Sequence, residues 1–151
     1  TKLYLAYDGQ YIIQYAHPAA GRGPLTEEDD LEQVRALAEA FPEKVAETRA
    51  YWTNFVLSRH KAGKRVAIWG GGSKGVSFLT TNGLADEVAQ VIDINTFKQG
   101  KYLPGTGHEV SAPEALKHSP PDTVIVMNPI YLPEIGSQIK AMGLDPELVA
   151  V

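Results

Sequence analysis

An apolar run that ends in consecutive glycines constrains the fold of this chain more than any other feature of its sequence. The stretch Arg65 to Gly75 reads RVAIWGGGSKG, which predicts a buried strand followed by a tight turn, and Val76 to Asn82 has the pattern of an amphipathic helix. A second apolar run, Val88 to Asp93, ends in an acidic residue about twenty residues after the turn. Strand, glycine-rich turn, helix and acid-ended strand are together typical of a dinucleotide-type α/β unit.

The glycine-rich turn is a candidate site for an anion. Gly70, Gly72 and Gly75 have the spacing G-x-G-x-x-G, in which residues without a Cβ atom let a diphosphate approach the backbone. Ser73 and Lys74 lie where the following helix begins, and amides at a helix N-terminus favour negative charge. The same turn occurs in α/β domains that bind no nucleotide, where the glycines serve tight packing. Both interpretations stay open at this point.

Composition limits the classes of partner. The chain has 151 residues, enough for one domain with a small appendage, and it begins at Thr1, which we interpret as a piece of a longer protein. Fourteen lysines and arginines against eighteen acidic residues give a net charge of −4, so nucleic acid is not an expected partner. No apolar stretch has the length of a membrane span, and the absence of cysteine excludes disulfides and cysteine-ligated metals. We expect a cytoplasmic protein without a membrane partner.

The first predicted part, residues 1–63, combines a β-hairpin with a helical connector. Residues of alternating character flank Asp8-Gly9, a strong turn signal. After a loop rich in proline and glycine, Thr26 and the acidic Glu27, Glu28 and Asp29 predict a helix start. Apolar residues then recur at helical spacing as far as Gly63, and Pro42 is expected to divide two helices or to lie in the first turn of the second.

The second predicted part, residues 64–151, alternates short apolar runs with helical ones. The strands are expected at Val66–Trp69, Val88–Asp93, Thr123–Met127 and Leu148–Val151, and helical segments at Val76–Asn82, Pro113–Lys117 and Leu132–Met142. This alternation predicts the α/β class, a Rossmann-like parallel sheet flanked by helices, preceded by the hairpin and one or two helices. The length of this part suggests at most half of a full dinucleotide-binding fold.

Polar residues in three loops are further candidates for ligand binding. Ligands of open parallel sheets collect beyond the carboxyl ends of the strands, where the glycine turn and the loops after Asp93 and Met127 should meet. The candidates in the two later loops are Asn95, Lys98, Lys101, Tyr102, His108, Asn128 and Tyr131. Structural roles compete with these assignments, because Asp93 and Asn95 can cap turns and His108 can be a structural or solvated histidine.

No catalytic constellation is found in the sequence. It lacks a G-x-S-x-G elbow and a cysteine nucleophile, and no carboxylates can be placed as an acid/base pair. Its histidines have no metal-ligand spacing, so no metal site is expected. The sequence therefore favours a binding role. A stand-alone module for NAD or a coenzyme A-like ligand, with Asp93 on the ribose, and a purely structural domain remain alternatives.

Four segments together resemble one family. They are WGGGSKGVSFL at 69–79, VIDINTFKQGKYLPGTGHEV at 91–110, APEAL at 112–116 and VIVMNPIYLPEI at 124–135. The combination resembles the carboxyl-terminal domain of the C-methyltransferases that act on nucleotide-linked deoxysugars, and KQGKYLPGTGH is far more specific than a glycine turn. The sequence departs from the family pattern in two places. Thr80-Thr81 stands where an Asn commonly follows the FL pair, and Thr96 stands where a Pro commonly follows Asn95.

The resemblance implies an enzyme of three parts, of which this chain is the last. A cysteine-rich zinc module and a central domain that binds S-adenosylmethionine (SAM) and supplies the acid/base residues would lie outside the chain. A nucleotide-diphosphate sugar would lie between the central domain and this one, held by the Gly70 to Gly75 turn and the Lys98 to His108 loop. The resemblance thus predicts no catalytic residue and no cofactor in this chain, and no activity of the chain alone.

Overall fold

The computed structural model describes residues 2–18, 20–21 and 30–151. The helix start predicted at Thr26 lies outside these residues. The chain divides into two units, Thr1–Ala46 and Glu47–Val151. This division lies earlier than the boundary predicted near Gly63, because the last turns of the long helix contribute core residues to the second unit.

The first unit begins with the predicted hairpin. Strands β1 (Lys2–Ala6) and β2 (Tyr11–Tyr15) pair antiparallel, with Lys2 opposite Tyr15 and Ala6 opposite Tyr11. The connection has positive φ at Tyr7, Asp8 and Gly9, the backbone conformation that glycine and aspartate tolerate best. The structure therefore confirms the hairpin and its turn.

The helical region forms a single helix, α1 (Leu31–Lys61). The sequence had suggested that Pro42 divides this region into two helices or lies in the first turn of the second. Pro42 lies inside it, so the expectation that this proline divides the segment or begins a second helix was wrong. A proline in a helix interior removes one backbone hydrogen bond to the carbonyl four residues earlier. That carbonyl belongs to Ala38, and both residues are exposed, so water can satisfy it.

The second unit contains a five-stranded parallel sheet. Its strands are β3 (Val66–Trp69), β4 (Gln90–Ile92), β5 (Val110–Ser111), β6 (Thr123–Val126) and β7 (Glu147–Ala150), in the spatial order β5-β4-β3-β6-β7. This is the order of the first five strands of a doubly wound dinucleotide fold. The fold class is confirmed. The expectation of at most half a dinucleotide fold was wrong, because the strands are only two to four residues long, and five of them therefore fit into this part of the chain.

Helices cover both faces of this sheet. On one face α1 and α2 (Ser73–Asn82) pack together, with the rings of Trp52 and Phe78 5.6 Å apart. On the other face α3 (Leu132–Ala141) buries Ile135 and Ile139. Short 3₁₀ segments at Pro113–Lys117 and Pro129–Tyr131 complete the connections. The core holds the carboxyl ends of β3, β4 and β6 in fixed positions, and the candidate site lies at these ends.

Arg59 ties the end of α1 to the opposite, amino-terminal edge of the sheet. Its guanidinium donates to Thr123 Oγ1 at 3.1 Å and to Glu147 Oε2 at 2.6 Å. It also lies 3.4 Å from the centroid of the Phe55 ring, a cation–π contact. The cluster is structural, because it stands at the edge of the sheet away from the glycine turn.

The Arg59–Glu147 pair makes stability depend on pH. Hydrogen bonding from Arg59 holds the pKa of Glu147 below its usual value. Such a group stabilises the fold above its unfolded pKa, and that contribution is lost as the pH falls through the folded value. Because the Glu147 side chain is 50% exposed, we expect a loss of about 1 kcal/mol or less. Urea denaturation at neutral pH and near pH 3 measures this loss of unfolding free energy. The Glu147→Gln variant should lose less stability in acid than the wild type. An equal loss in both proteins would contradict the role given to the Arg59–Glu147 pair.

Candidate ligand-binding site

Three glycines, two in the turn between β3 and α2 and one in the first turn of α2, serve packing. Gly70 has φ +124°, and a Cβ there would lie 2.9 Å from Met127 Cβ. A Cβ on Gly75 would overlap the carbonyl oxygen of Gly70, so this glycine lets α2 approach the turn. A Cβ on Gly71 would lie 3.1 Å from the methyl carbons of Val110. Glycine is needed at these three positions because the helix and the sheet approach each other too closely to leave room for a side chain.

Gly72 differs from its neighbours because its open side faces a cation. It is the N-cap residue of α2, with φ −105° and no side-chain cap hydrogen bond. A Cβ placed on it would meet Lys98 Nζ at 3.2 Å, and among the described residues it would meet no other atom outside its chain neighbours within 4 Å. Helix amides and an ammonium group therefore converge beside Gly72, which is the arrangement that favours a phosphate.

A buried carboxylate holds this ammonium group in place. Lys98 Nζ donates to Asp93 Oδ2 at 2.8 Å, and the backbone N–H of Asn95 donates to Asp93 Oδ1 at 2.9 Å. Asp93 is only 6% exposed, so its charge requires the partner. The acid at the end of β4 thus positions Lys98 over the glycine turn.

The larger of two cavities at this edge has a cationic and aromatic lining. Its volume is about 650 Å³, and its lining includes Gly72, Lys98, Lys101, Phe97 and Tyr102. Within the part of the chain that the structure describes, no carboxylate lines it. Phe97 is 89% exposed and Tyr102 is 67% exposed. Its chemistry suits an anion that carries a flat apolar group.

The smaller cavity has the opposite charge. It measures about 310 Å³ and lies between the ends of β3 and β6, where the strand order reverses and ligands of such sheets collect. Asp93 and Glu134 line it, together with Asn128, Tyr131 and Gln138, and no lysine or arginine among the described residues does. Its chemistry suits an uncharged group with hydroxyls to donate.

The sequence-predicted site residues divide between these two cavities. Gly72, Ser73, Lys98, Lys101 and Tyr102 line the larger one, and Gly70, Asn128 and Tyr131 line the smaller one. Lys74, Gly75, Asn95 and His108 lie outside both. Lys74 is exposed in the first turn of α2, and Asn95 accepts a hydrogen bond from the Phe97 N–H at 3.0 Å.

His108 anchors the loop that carries the two lysines. Its Nε2 lies 2.8 Å from the carbonyl oxygen of Val88, and its Nδ1 lies 2.8 Å from Thr106 Oγ1. Because a carbonyl only accepts, Nε2 donates to Val88, and Nδ1 pairs with the hydroxyl of Thr106, which can donate or accept. The Nε2 contact therefore holds the loop against the segment before β4, and the Nδ1 contact stabilises the loop internally.

Sequence reasoning missed several lining residues, four of which bear on ligand binding. Phe97 and Thr80 belong to the larger cavity, and Glu134 and Gln138 to the smaller one. Glu134 and Gln138 are four residues apart on α3, and this spacing after the Asn128 loop was the available signal. Thr80, one of the two departures from the family pattern, donates its hydroxyl to the Val76 carbonyl at 2.8 Å.

Other kinds of site receive no support from the described residues. Within residues 2–18, 20–21 and 30–151, no group of three or more metal-ligating side chains converges. Across the same part of the chain, no helix combines the length and apolar character needed to cross a membrane. Among the described residues, the glycine turn and these two cavities form the candidate site.

Comparison with known proteins gives a family match and matches to 22 solved chains. A family model described as the C-methyltransferase C-terminal domain matches residues 24–145. The chain is also similar to a crystal structure of RSP in complex with beta-NADH, at 16% identity and a TM-score of 0.45, over 58% of this chain and 53% of that one. The chain thus spans about half the length of that structure. No curated protein sequence matches it.

Proposed function

The chain belongs to the family of C-methyltransferase C-terminal domains, and we propose on that premise that it binds the nucleotide-diphosphate sugar on which the complete enzyme acts. The larger cavity would hold the diphosphate. The observation that carries the proposal is the position of Lys98 Nζ beside the open side of Gly72 at the start of α2.

The groups around Gly72 supply attraction without strong affinity. Amides at the helix start and the Lys98 and Lys101 ammonium groups can each make a charge-assisted hydrogen bond to phosphate, contributing roughly 1.5–3 kcal/mol before losses. Loss of translational freedom and ordering of the lysine side chains offset much of this gain. We expect this chain to bind a nucleoside diphosphate weakly and the central domain to complete the site.

The methyl donor does not fit the larger cavity. SAM carries a positive sulfonium, and the helix N-terminus and two lysines that favour a diphosphate disfavour a cation. We place SAM and the acid/base residues in the central domain, which supplies methyl transfer when the donor is bound. The residues of this chain bind and orient the acceptor substrate.

A stand-alone NAD module is the competing function. It would need the carboxylate at the end of β4 to accept hydroxyl hydrogens from the ribose. Asp93 occupies that position, but Lys98 and the Asn95 N–H already bind its two oxygens. Because Lys98 is bound to Asp93, a ribose could reach this carboxylate only by displacing Lys98. A ligand whose phosphates contact Lys98 does not need to break the pair and is therefore favoured.

Replacing Lys98 with alanine tests the proposal. The variant loses the ammonium nearest Gly72, and we expect its affinity for thymidine diphosphate (dTDP) to fall about tenfold, the loss of one charge-assisted hydrogen bond. An NMR titration of the 151-residue chain measures weak binding and maps it to individual amides. Lys117→Ala is the charge-matched control, because Lys117 is exposed on a 3₁₀ segment outside both cavities.

Two further titrations separate the competing functions. Shifts with NAD but none with dTDP would favour the dinucleotide module, and no shifts with either ligand would favour a structural domain. Lys74→Ala tests the sequence-based prediction for that residue. If Lys74→Ala lowers the affinity for dTDP as much as Lys98→Ala does, the ligand is attracted by the general positive charge at the start of α2 and not by the positioned Lys98 ammonium.

A further inference from the structure

The cationic cavity and the acidic cavity meet at the same glycine turn. The difference in charge between them determines which end of a ligand each cavity can bind. Gly72 lines the cationic cavity and Gly70 the acidic one, so the turn forms part of both. The Asp93–Lys98 ion pair also belongs to both, because Lys98 lines the larger cavity and Asp93 the smaller one. A ligand that spans the turn would meet cations on one side and carboxylates on the other.

The smaller cavity can recognise hydroxyl groups but not phosphates. Asp93 and Glu134 repel an anion. The side chains of Glu134 and Gln138 have no hydrogen-bond partner among the described residues, so their oxygens can accept from a ligand. Ile135 and Met127 add apolar side chains to the lining of the same cavity. Hydrogen-bond acceptors beside apolar side chains suit a pyranose ring, which combines hydroxyls with C–H faces.

The larger cavity has the features that a nucleobase needs. Phe97 and Tyr102 are large aromatic residues that expose most of their surface on one loop. Exposed aromatic side chains beside lysines are a common platform for base stacking, because every base has an aromatic face. The cavity is also about twice the volume of its neighbour, which leaves room for a base beside the diphosphate.

We infer that the nucleotide sugar lies across the glycine turn in one direction, with its base and diphosphate in the larger cavity and its hexose ring in the smaller one, bound by Glu134 and Gln138. The inference rests on the proposed function and adds the orientation and the residues that select the sugar. It makes Glu134 a specificity residue for the sugar and Phe97 a binding residue for the base.

Affinities of the 151-residue chain for dTDP and dTDP-glucose test the orientation. Glu134→Gln should weaken dTDP-glucose about fivefold and leave dTDP unchanged, because only the sugar reaches Glu134. Phe97→Ala should weaken both ligands alike, by about tenfold, because both carry the base. Glu114→Gln is the control, an exposed carboxylate on the 3₁₀ segment Pro113–Lys117. Glu134 and Phe97 are also exposed, so the substitutions leave the core intact.

The outcomes separate this inference from the proposed function. If Glu134→Gln weakens dTDP as much as dTDP-glucose, the nucleoside occupies the smaller cavity and the inferred direction is wrong. If Glu134→Gln changes neither ligand while Lys98→Ala still weakens both, the proposed function stands and the sugar site is wrong. If wild-type chain binds neither ligand, the proposed function fails, and the inference fails with it.

Discussion

Gly75→Ala is expected to destabilise the sheet unit by at least about 2 kcal/mol. The added methyl group would overlap the Gly70 carbonyl oxygen, and a backbone obstacle cannot rotate away as a side chain can. Overpacking of this kind costs about 3 kcal/mol, and the better helix propensity of alanine offsets about 1 kcal/mol of that cost. Thermal unfolding should show a midpoint about 6 °C lower than that of the wild type.

Gly136→Ala is the matched control, because Gly136 is also a glycine inside a helix of this unit. There the added Cβ would meet only the tip of the Leu148 side chain, at 3.2 Å. Leu148 can shift by a few tenths of an ångström, so the gain in helix propensity should keep stability within about 1 kcal/mol of the wild type. Equal destabilisation of both variants would mean that Gly75 is not the packing point between α2 and the turn.

Much of the fold could be predicted from the sequence because the sheet is buried on both faces. Strands such as Val66–Trp69 are continuous apolar runs that end at glycine or at a polar residue, which marks both their type and their ends. β5 was missed because two residues, Val110–Ser111, are too few to show a period. The Pro42 prediction was wrong because local propensity says nothing about the hydration of one exposed carbonyl.

The candidate site could be predicted only in part, because its decisive contact joins residues far apart in the sequence. The glycine spacing located the turn, and the sequence placed Lys74 beside it because the two are adjacent in the chain. The sequence also predicted Lys98 as a candidate, because the loop after Asp93 was expected to meet the turn. In the structure Lys98 lies beside Gly72 and lines the larger cavity, whereas Lys74 does not line it, and Asp93 positions the Lys98 ammonium there. No local pattern shows which of the candidate lysines lies nearest the turn, whereas the acid-ended strand did suggest that Asp93 has a role.

The glycine motif combines two functions that the sequence alone cannot separate. Gly70 and Gly75 are needed because another atom already occupies the space of a side chain. Gly72 has an ordinary backbone conformation and open space toward Lys98. Substitutions at Gly75 should therefore affect folding, and substitutions at Gly72 should affect ligand binding. Each variant thus serves as a control for the other.

Gly72→Asp is expected to weaken dTDP binding about 100-fold without destabilising the fold. Aspartate suits this position, because the residue is an N-cap with extended backbone and aspartate is among the preferred N-cap residues. Its carboxylate would pair with Lys98 and with the first amides of α2, the groups proposed for the diphosphate. Loss of two charge-assisted hydrogen bonds, about 2.7 kcal/mol, corresponds to that change in affinity. NMR titration gives the affinity, and thermal unfolding gives the stability.

Gly72→Ala separates the charge effect from the steric one. Its methyl group would hinder approach to the backbone but would bring no negative charge to Lys98, so we expect dTDP binding to weaken about tenfold. The order wild type, Gly72→Ala, Gly72→Asp in decreasing affinity, at nearly constant stability, supports a diphosphate beside Gly72. If Gly72→Asp binds dTDP as tightly as the wild type, the diphosphate lies elsewhere, because an acidic side chain beside Lys98 must repel a phosphate at that position.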